Sequence, residues 1–506
     1  MKGVLPIEQI KERIELFLLE QSRPLLTEPG RDVVDLSSSS YSLSTQYDKL
    51  VWHIWNENTN LVRQITGILS AKPGRLELRY QRFGKGPAGT LILAESRAMP
   101  EHLDRRARRT QYLRTLRRWL HQLFPEWKVE ELTTEADLAR TFSGRYARGL
   151  MARGTQAWAV IGSGEQADDF RSDDILAYGL LWLDWLRTHH SSGGSRVVAG
   201  LRIFLPRDTA EVTLNRLAWL HPQAGKWELF ETGFEVGEEV RRRDPADFGN
   251  LKTRLTPLAK PAMPQRAVQE TMDAIVSANP EVETRSGPDG ALSWSVRGLV
   301  FARHTSQGIV FGLGRCETPL QQETAGELKE LVGRMVRVRR ADSTEVTHPL
   351  YRLQPERWME SMVSRQLNRL EPGLTAGIVY EQVPAVSGTA RGLLDLLTAN
   401  ASGRLAVIEL KASEDLQLPL QALDYWMRVH WHHQRGELQR EGYFAGCALS
   451  PQPPLLLLVS PALQFHSACE VILRYLSPDI EVVRVGLNED WRRAVKVVSR
   501  QAGRGS

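Results

Sequence analysis

The sequence predicts a mixed α/β protein made of two tandem copies of one unit, each a small β subdomain followed by an α/β core. Three observations predict it. At 506 residues the chain exceeds one ordinary core. Segments of period two alternate with segments of helical period along most of its length. Several short strings recur in the same order, offset by about 220 to 256 residues, as expected of a repeat.

The echoes place the repeat. Arg148-Gly149-Leu150-Met151-Ala152 matches Arg391-Gly392-Leu393-Leu394-Asp395, and Ala159-Val160-Ile161-Gly162 matches Ala406-Val407-Ile408-Glu409. Leu183-Asp184-Trp185 matches Leu423-Asp424-Tyr425. Arg216 to Leu220 followed by Pro222 matches Ile472 to Leu476 followed by Pro478. The expected order is an N-terminal helix and linker (1–44), a first copy (45–236), a charged, Pro-containing linker (237–264), the small β/helical subdomain of the second copy (265–345), its core (346–500) and a tail (501–506). Within the first copy, a helix is expected from Thr45 through Trp52, Trp55 and Val62. Strands at 76–83 and 90–94 and a basic helix over 101–124 follow. The linker is expected to run without regular structure.

Composition narrows the class. Hydrophobic residues make up 42% and charged residues 25%, as in water-soluble globular chains. No apolar run reaches the ~18 residues that a membrane span needs, and residues 1–4 do not lead into a signal peptide. Three scattered cysteines argue against a disulfide scaffold or a four-cysteine metal site, and a cytoplasmic location is expected. The net charge is +5, and only 12 of the 65 basic residues are lysine. A mildly basic surface is compatible with nucleic acid.

The chemistry concentrates in residues 356–434. Residues 391–397 alternate as a strand that puts Asp395 on the face of Leu393 and Leu397. A turn at 400–403 leads into a second strand with Glu409 and Lys411 on one face, because side chains two apart point the same way. The hairpin brings two carboxylates and an ammonium together in apolar strands, which is costly unless they pair or bind a cation. Two carboxylates, with the Leu410 carbonyl as an expected third oxygen, suit Mg²⁺ or Mn²⁺. A lysine in a chain that prefers arginine suits charge stabilisation or water positioning. Pro419 opens a helix on which Gln421 and Tyr425 share a face, continued by Arg428 and His432, while Leu420, Leu423 and Met427 face the core. Arg428, His432 and Arg391 are candidate contacts to nucleic acid.

Gly392-Leu393-Leu394-Asp395, Glu409-Leu410-Lys411 and Gln421-Ala422-Leu423-Asp424-Tyr425 together resemble the G-x-x-D, E-x-K and Q-x-x-x-Y series of RecB-like nucleases in the PD-(D/E)xK superfamily. The resemblance covers about residues 350–485. It implies a restriction-endonuclease-like core at the C-terminus, Mg²⁺- or Mn²⁺-dependent phosphodiester hydrolysis, and DNA as the expected substrate. Asp395 and Glu409 would then hold metal, Lys411 would be the catalytic lysine, and Gln421 and Tyr425 would orient it or the substrate. Such domains open with a helix carrying an acid; here Glu360, favoured over Glu356, is the candidate.

On the echoes, the first copy carries Ala152, Gly162 and Gly164 where the second has Asp395, Glu409 and Lys411. It reads as a pseudonuclease, scaffold or clamp. The chain is then a monomeric pseudo-dimer or a homodimer, with a helicase among its possible protein partners. The alternative is a catalytically silent nucleic-acid-binding or scaffold protein with a nuclease-like fold. The basic helix is a further candidate for a substrate track, against a plain solvated face.

Overall fold

A computed structural model describes residues 6–503 except 22–23, 29–33, 37–38, 47–48, 56–59, 73, 82–87, 96–101, 138–139, 165–171, 192–195, 234–239, 247–250, 262–263, 265, 315 and 388–389. The fold is mixed α/β. It divides into two compact units: Met1–Met99 with Ala259–Met362, and Pro100–Leu258 with Val363–Ser506. The linear order of domains read from the sequence therefore gives way to an interleaved one, cut at residues 99, 258 and 362.

In the first unit, seven antiparallel strands between Pro24 and Glu95 form one sheet. The helix Ile7–Glu20 lays Ile10, Ile14, Phe17 and Leu18 on its core. The helix expected from Thr45 is instead the strands Lys49–Trp55 and Asn60–Lys72. Leu50, Trp52 and Ile54 are buried at every second position, so period two outweighs the helical spacing of Trp52 and Trp55. Residues 21–44, expected as a linker, contribute the edge strands Pro24–Thr27 and Val34–Asp35 and part of Ser40–Gln46. A five-stranded sheet (Val282 to Pro319) and the helices Arg266–Ala278 and Ala325–Val338 complete this unit. Lys11 pairs with Glu327 at 2.7 Å and Arg334 with Glu15 at 3.2 Å, joining the first 99 residues to the later segment.

The second unit holds two sheets with one plan. In each, two antiparallel pairings lead into two parallel ones and end on an antiparallel edge, and the second sheet has one further antiparallel strand, Thr253–Leu255, ahead of these. The first runs through Lys128–Thr133, Ala147–Arg153, Gln156–Gly162, Val197–Pro206, Lys226–Thr232 and Arg241–Arg243. The second runs through Leu374–Ser387, Ala390–Asn400, Leu405–Leu410, Leu455–Pro461, Val482–Leu487 and Val497–Ala502. Parallel neighbours need crossovers, here the helices Ile175–Ser191 and Leu418–Gln434. The segment read as a linker supplies Arg241–Arg243 to the first sheet and Thr253–Leu255 to the second.

The two sheets share one core, in which Leu180, Trp182 and Leu201 join Leu423, Trp426 and Leu456. Their junction is reciprocal. His221 N donates to the Tyr475 carbonyl at 2.8 Å, and Ser477 N donates to the Trp219 carbonyl at 2.7 Å, about a Leu220–Leu476 bridge. Arg216 of the first half grips Asp424 of the second with two bonds of 2.9 and 2.7 Å. Arg474 of the second half reaches Asp184 of the first at 3.3 Å. Exchange of the same contacts in both directions is the mark of a two-fold interface.

Candidate active site

The site hairpin is built by Ala390–Asn400 and Leu405–Leu410. Its turn is fixed locally: the Asn400 side chain accepts from Ser402 N and Arg404 N, and Gly403 sits at φ +80° with the Ala448 carbonyl where a side chain would go. The strands pair Leu397 with Val407 and Leu396 with Ile408. Extended one step past its last pair, that register would set Asp395 opposite Glu409. Leu397, Leu405 and Val407 face the core with the helix Leu418–Gln434, so the two carboxylates share that face.

Glu409 is 4% exposed and Asp395 half-buried. Leu410 N donates to Asp395 Oδ2 at 2.9 Å, which anchors the aspartate on the neighbouring strand. Lys411 lies just beyond the strand end, with Nζ 4.0 Å from Glu409 Oε1 and 3.5 Å from Asp415 Oδ2. Its ammonium bridges the buried glutamate and a loop aspartate.

Asp415 Oδ1 also accepts from Gln417 N at 2.7 Å, tying the loop to the start of the next helix, where Pro419 follows. On that helix, burial raises the Tyr425 phenol well above its ordinary pKa, and the negative charges of Glu409 and Asp395 push it the same way. Tyr425 is therefore a neutral hydroxyl beside two carboxylates, suited to donating a hydrogen bond. Gln421 is half-buried one turn earlier. Arg428 is buried with its guanidinium 5.7 Å from the Tyr425 ring centre.

Other sequence candidates lie elsewhere or in different surroundings. His432 is 3% exposed and held between Thr253 Oγ1 and Glu437, which occupies it inside the protein. His430 stacks on Trp426, and His433 bonds the Ser450 carbonyl, so the three histidines do not converge. Arg391 is on the strand, but its side chain is outside the described residues. The segment carrying Glu356 and Glu360 forms the helix Pro355–Val363, followed by the short helix Leu367–Leu370. Glu360 is buried on the first, within the other unit, and accepts from Arg357 at 2.9 Å. Among the described residues no three His, Cys, Asp or Glu side chains converge on one point. Asp395 and Glu409 are the carboxylate pair at hand.

The first sheet shows which residues of the upstream hairpin face the shared core. Its hairpin pairs Ile161 with Arg148 and Gly162 with Ala147. Ala157, Ala159 and Ile161 face the shared core, as Leu405 and Val407 do. On that face Arg148 pairs with Ile161 and Ala152 with Ala157, while Gly162 and Gly164 of the sequence echo turn to the opposite face. A slip of one residue turns every side chain to the other face, and short apolar echoes do not resolve it. Gly162 and Gly164 face Tyr112 of the basic helix, whose hydroxyl would lie 2.4 Å from a Gly162 Cβ. Arg148 is buried, bonds the Glu135 carbonyl, and lies over the rings of Phe142 and Trp182.

Two neighbours escaped the sequence reading. Asp415 had one available signal, an acid four residues after the lysine. Tyr178 had none. It belongs to the first half, stacks at 5.1 Å on the buried Tyr146, and has its phenol pKa raised by burial and by the charges of Asp174 and Asp415. Gln417 Nε2 donates to the Asp174 carbonyl at 3.4 Å, joining that turn to the site loop. No protein-family profile matches this sequence, and no curated protein matches it.

Proposed function

We propose that the second unit is a metal-dependent nuclease of the PD-(D/E)xK type, RecB-like, hydrolysing phosphodiester bonds of nucleic acid, with DNA as the expected substrate. The single observation carrying this reading is the gathering at one end of the hairpin of Asp395, held by Leu410 N at 2.9 Å, the buried Glu409 and the Lys411 ammonium 4.0 Å from it, with Tyr425 in the field of both carboxylates. The donor set fits Mg²⁺ or Mn²⁺. Two carboxylates, one of them deeply buried, repel each other, and a hard dication offsets that repulsion while keeping water and substrate in its remaining positions. When bound, such an ion polarises a phosphodiester oxygen and lowers the pKa of a water. Asp395 and Glu409 would hold the ion. Lys411, fixed by Glu409 and Asp415, would place positive charge against the anionic transition state. Tyr425 and Gln421 would donate hydrogen bonds that orient a phosphate or the lysine.

We also read the two halves of this unit as copies of one ancestral domain, the first catalytically silent. The shared strand plan and the reciprocal hydrogen bonds at Leu220 and Leu476 support that reading. Arg148 and Ile161 leave the first copy without a cation site. One active centre per chain favours cutting one strand at a time.

The test is cleavage of linear, circular and single-stranded DNA and of RNA with Mg²⁺ or Mn²⁺. Wild type should cut, and Asp395→Ala and Lys411→Ala should each lose activity by several orders of magnitude while remaining folded. Metal-independent cutting, or cutting that survives both substitutions, would remove the proposal. The silent-scaffold alternative predicts no cleavage and no metal-induced thermal shift.

A further inference from the structure

The helix His102–Leu123 covers the outer face of the first sheet. Leu116, Trp119 and Leu120 are buried against Met151, Val160 and Phe230. Arg109, Arg114, Arg117, Arg118 and His121 are exposed, and all but Arg109 cluster on the side opposite that stripe. From Arg105 to Pro125 the sequence has seven arginines and no Asp or Glu. None of Arg109, Arg114, Arg117 and Arg118 makes an ion pair among the described residues.

A solvated helix face ordinarily mixes signs, because acid–base pairs three or four residues apart stabilise it and like charges there destabilise it. This face sets Arg114 one turn from both Arg117 and Arg118, with no ion pair to neutralise them among the described residues. The residue type also selects a partner. A guanidinium presents a flat fork of donors that matches phosphate oxygens, and it is more weakly hydrated than an ammonium.

We propose that this arginine face is a second nucleic-acid contact, binding the phosphate backbone away from the carboxylates, so that the silent first copy holds the substrate of the second. The proposal rests on the nuclease reading for the identity of the polyanion, but its test is binding and does not require cutting. A backbone contact of this kind is independent of sequence and governed by counterion release.

The experiment measures affinity for a short duplex and for a single-stranded oligonucleotide, by fluorescence anisotropy across a salt series. Full-length protein carrying Asp395→Asn prevents cleavage. The combined change Arg114→Gln, Arg117→Gln and Arg118→Gln should make the log–log salt dependence shallower by about 0.9 per lost contact on duplex and about 0.7 on single strand. The matching triple change to lysine should keep the slope. In the otherwise wild-type enzyme, the glutamine variant should raise KM and leave kcat unchanged. Unchanged affinity and slope in a folded glutamine variant would overturn the proposal. So would a loss confined to binding of phosphatidylserine vesicles, or a slope lost equally in the lysine variant. A wild type that binds but never cuts would sink the nuclease reading while leaving the slope test intact.

Discussion

The junction between the two halves contains its own controlled experiment. Arg216 is 2% exposed and makes two bonds to Asp424 and a third to the Asp173 carbonyl. Its counterpart across the junction, Arg474 with Asp184, is half-exposed on the arginine side and longer at 3.3 Å. Changing Asp424 to Asn leaves a buried guanidinium without its counter-charge, which costs about 3–5 kcal/mol. Changing Arg474 to Gln removes an exposed pair worth about 0–1 kcal/mol. Replacing Arg216 and Asp424 together by Met and Leu should recover most of the first loss, because a well-packed apolar pair costs little relative to a buried ion pair. Urea unfolding followed by tryptophan fluorescence reads this directly, since Trp219 packs edge-on against Trp426 at 4.9 Å beside the pair. The midpoint should fall clearly for Asp424→Asn, hardly at all for Arg474→Gln, and return in the double variant. Equal effects of the two single changes would refute the argument that burial sets their value.

Tyr112 carries a buried hydroxyl with no hydrogen-bond partner among the described residues. Tyr112→Phe should therefore stabilise the protein by about 1 kcal/mol in the same assay. Gly162→Ala drives a Cβ into that hydroxyl and should destabilise, with partial recovery in the double variant carrying Tyr112→Phe. His430, stacked on Trp426 and edge-on to Trp219, has its pKa lowered by burial first and then by His433. Its neutral form is the folded one, so its contribution is complete above the unfolded value of about 6.5 and declines as pH falls through the folded pKa. His430→Phe should flatten that acid limb of the stability profile. Tyr425 stays protonated across any usable pH, so Tyr425→Phe should lower cleavage without moving the pH profile.

The charged hairpin was legible because its signals are local. Strand alternation puts Glu409 and Lys411 on one side, the Asn400–Gly403 turn closes the pair, and Pro419 starts the helix that brings Tyr425 back. Each needs only neighbours within a few residues. The helix expected at Thr45 failed for the opposite reason. Trp52 and Trp55 are spaced as on a helix, and pairing with Asn60–Lys72 decides for strand. His432 looked like part of an exposed stripe, yet Thr253, 179 residues away, makes it an interior group.

By itself the sequence determined the charged hairpin, the order of its motifs and the recurrence of its apolar strings upstream. The tertiary structure alone decided which faces of the upstream strands meet the shared core. A strand carries two faces at a spacing of one residue, and apolar echoes do not say which face meets the core. The register did, placing Arg148 and Ile161 opposite each other, and it brought Asp415 and Tyr178 to a site their positions in the chain do not announce. Contacts between residues hundreds of positions apart are fixed by burial and packing of whole elements, and no local pattern encodes them.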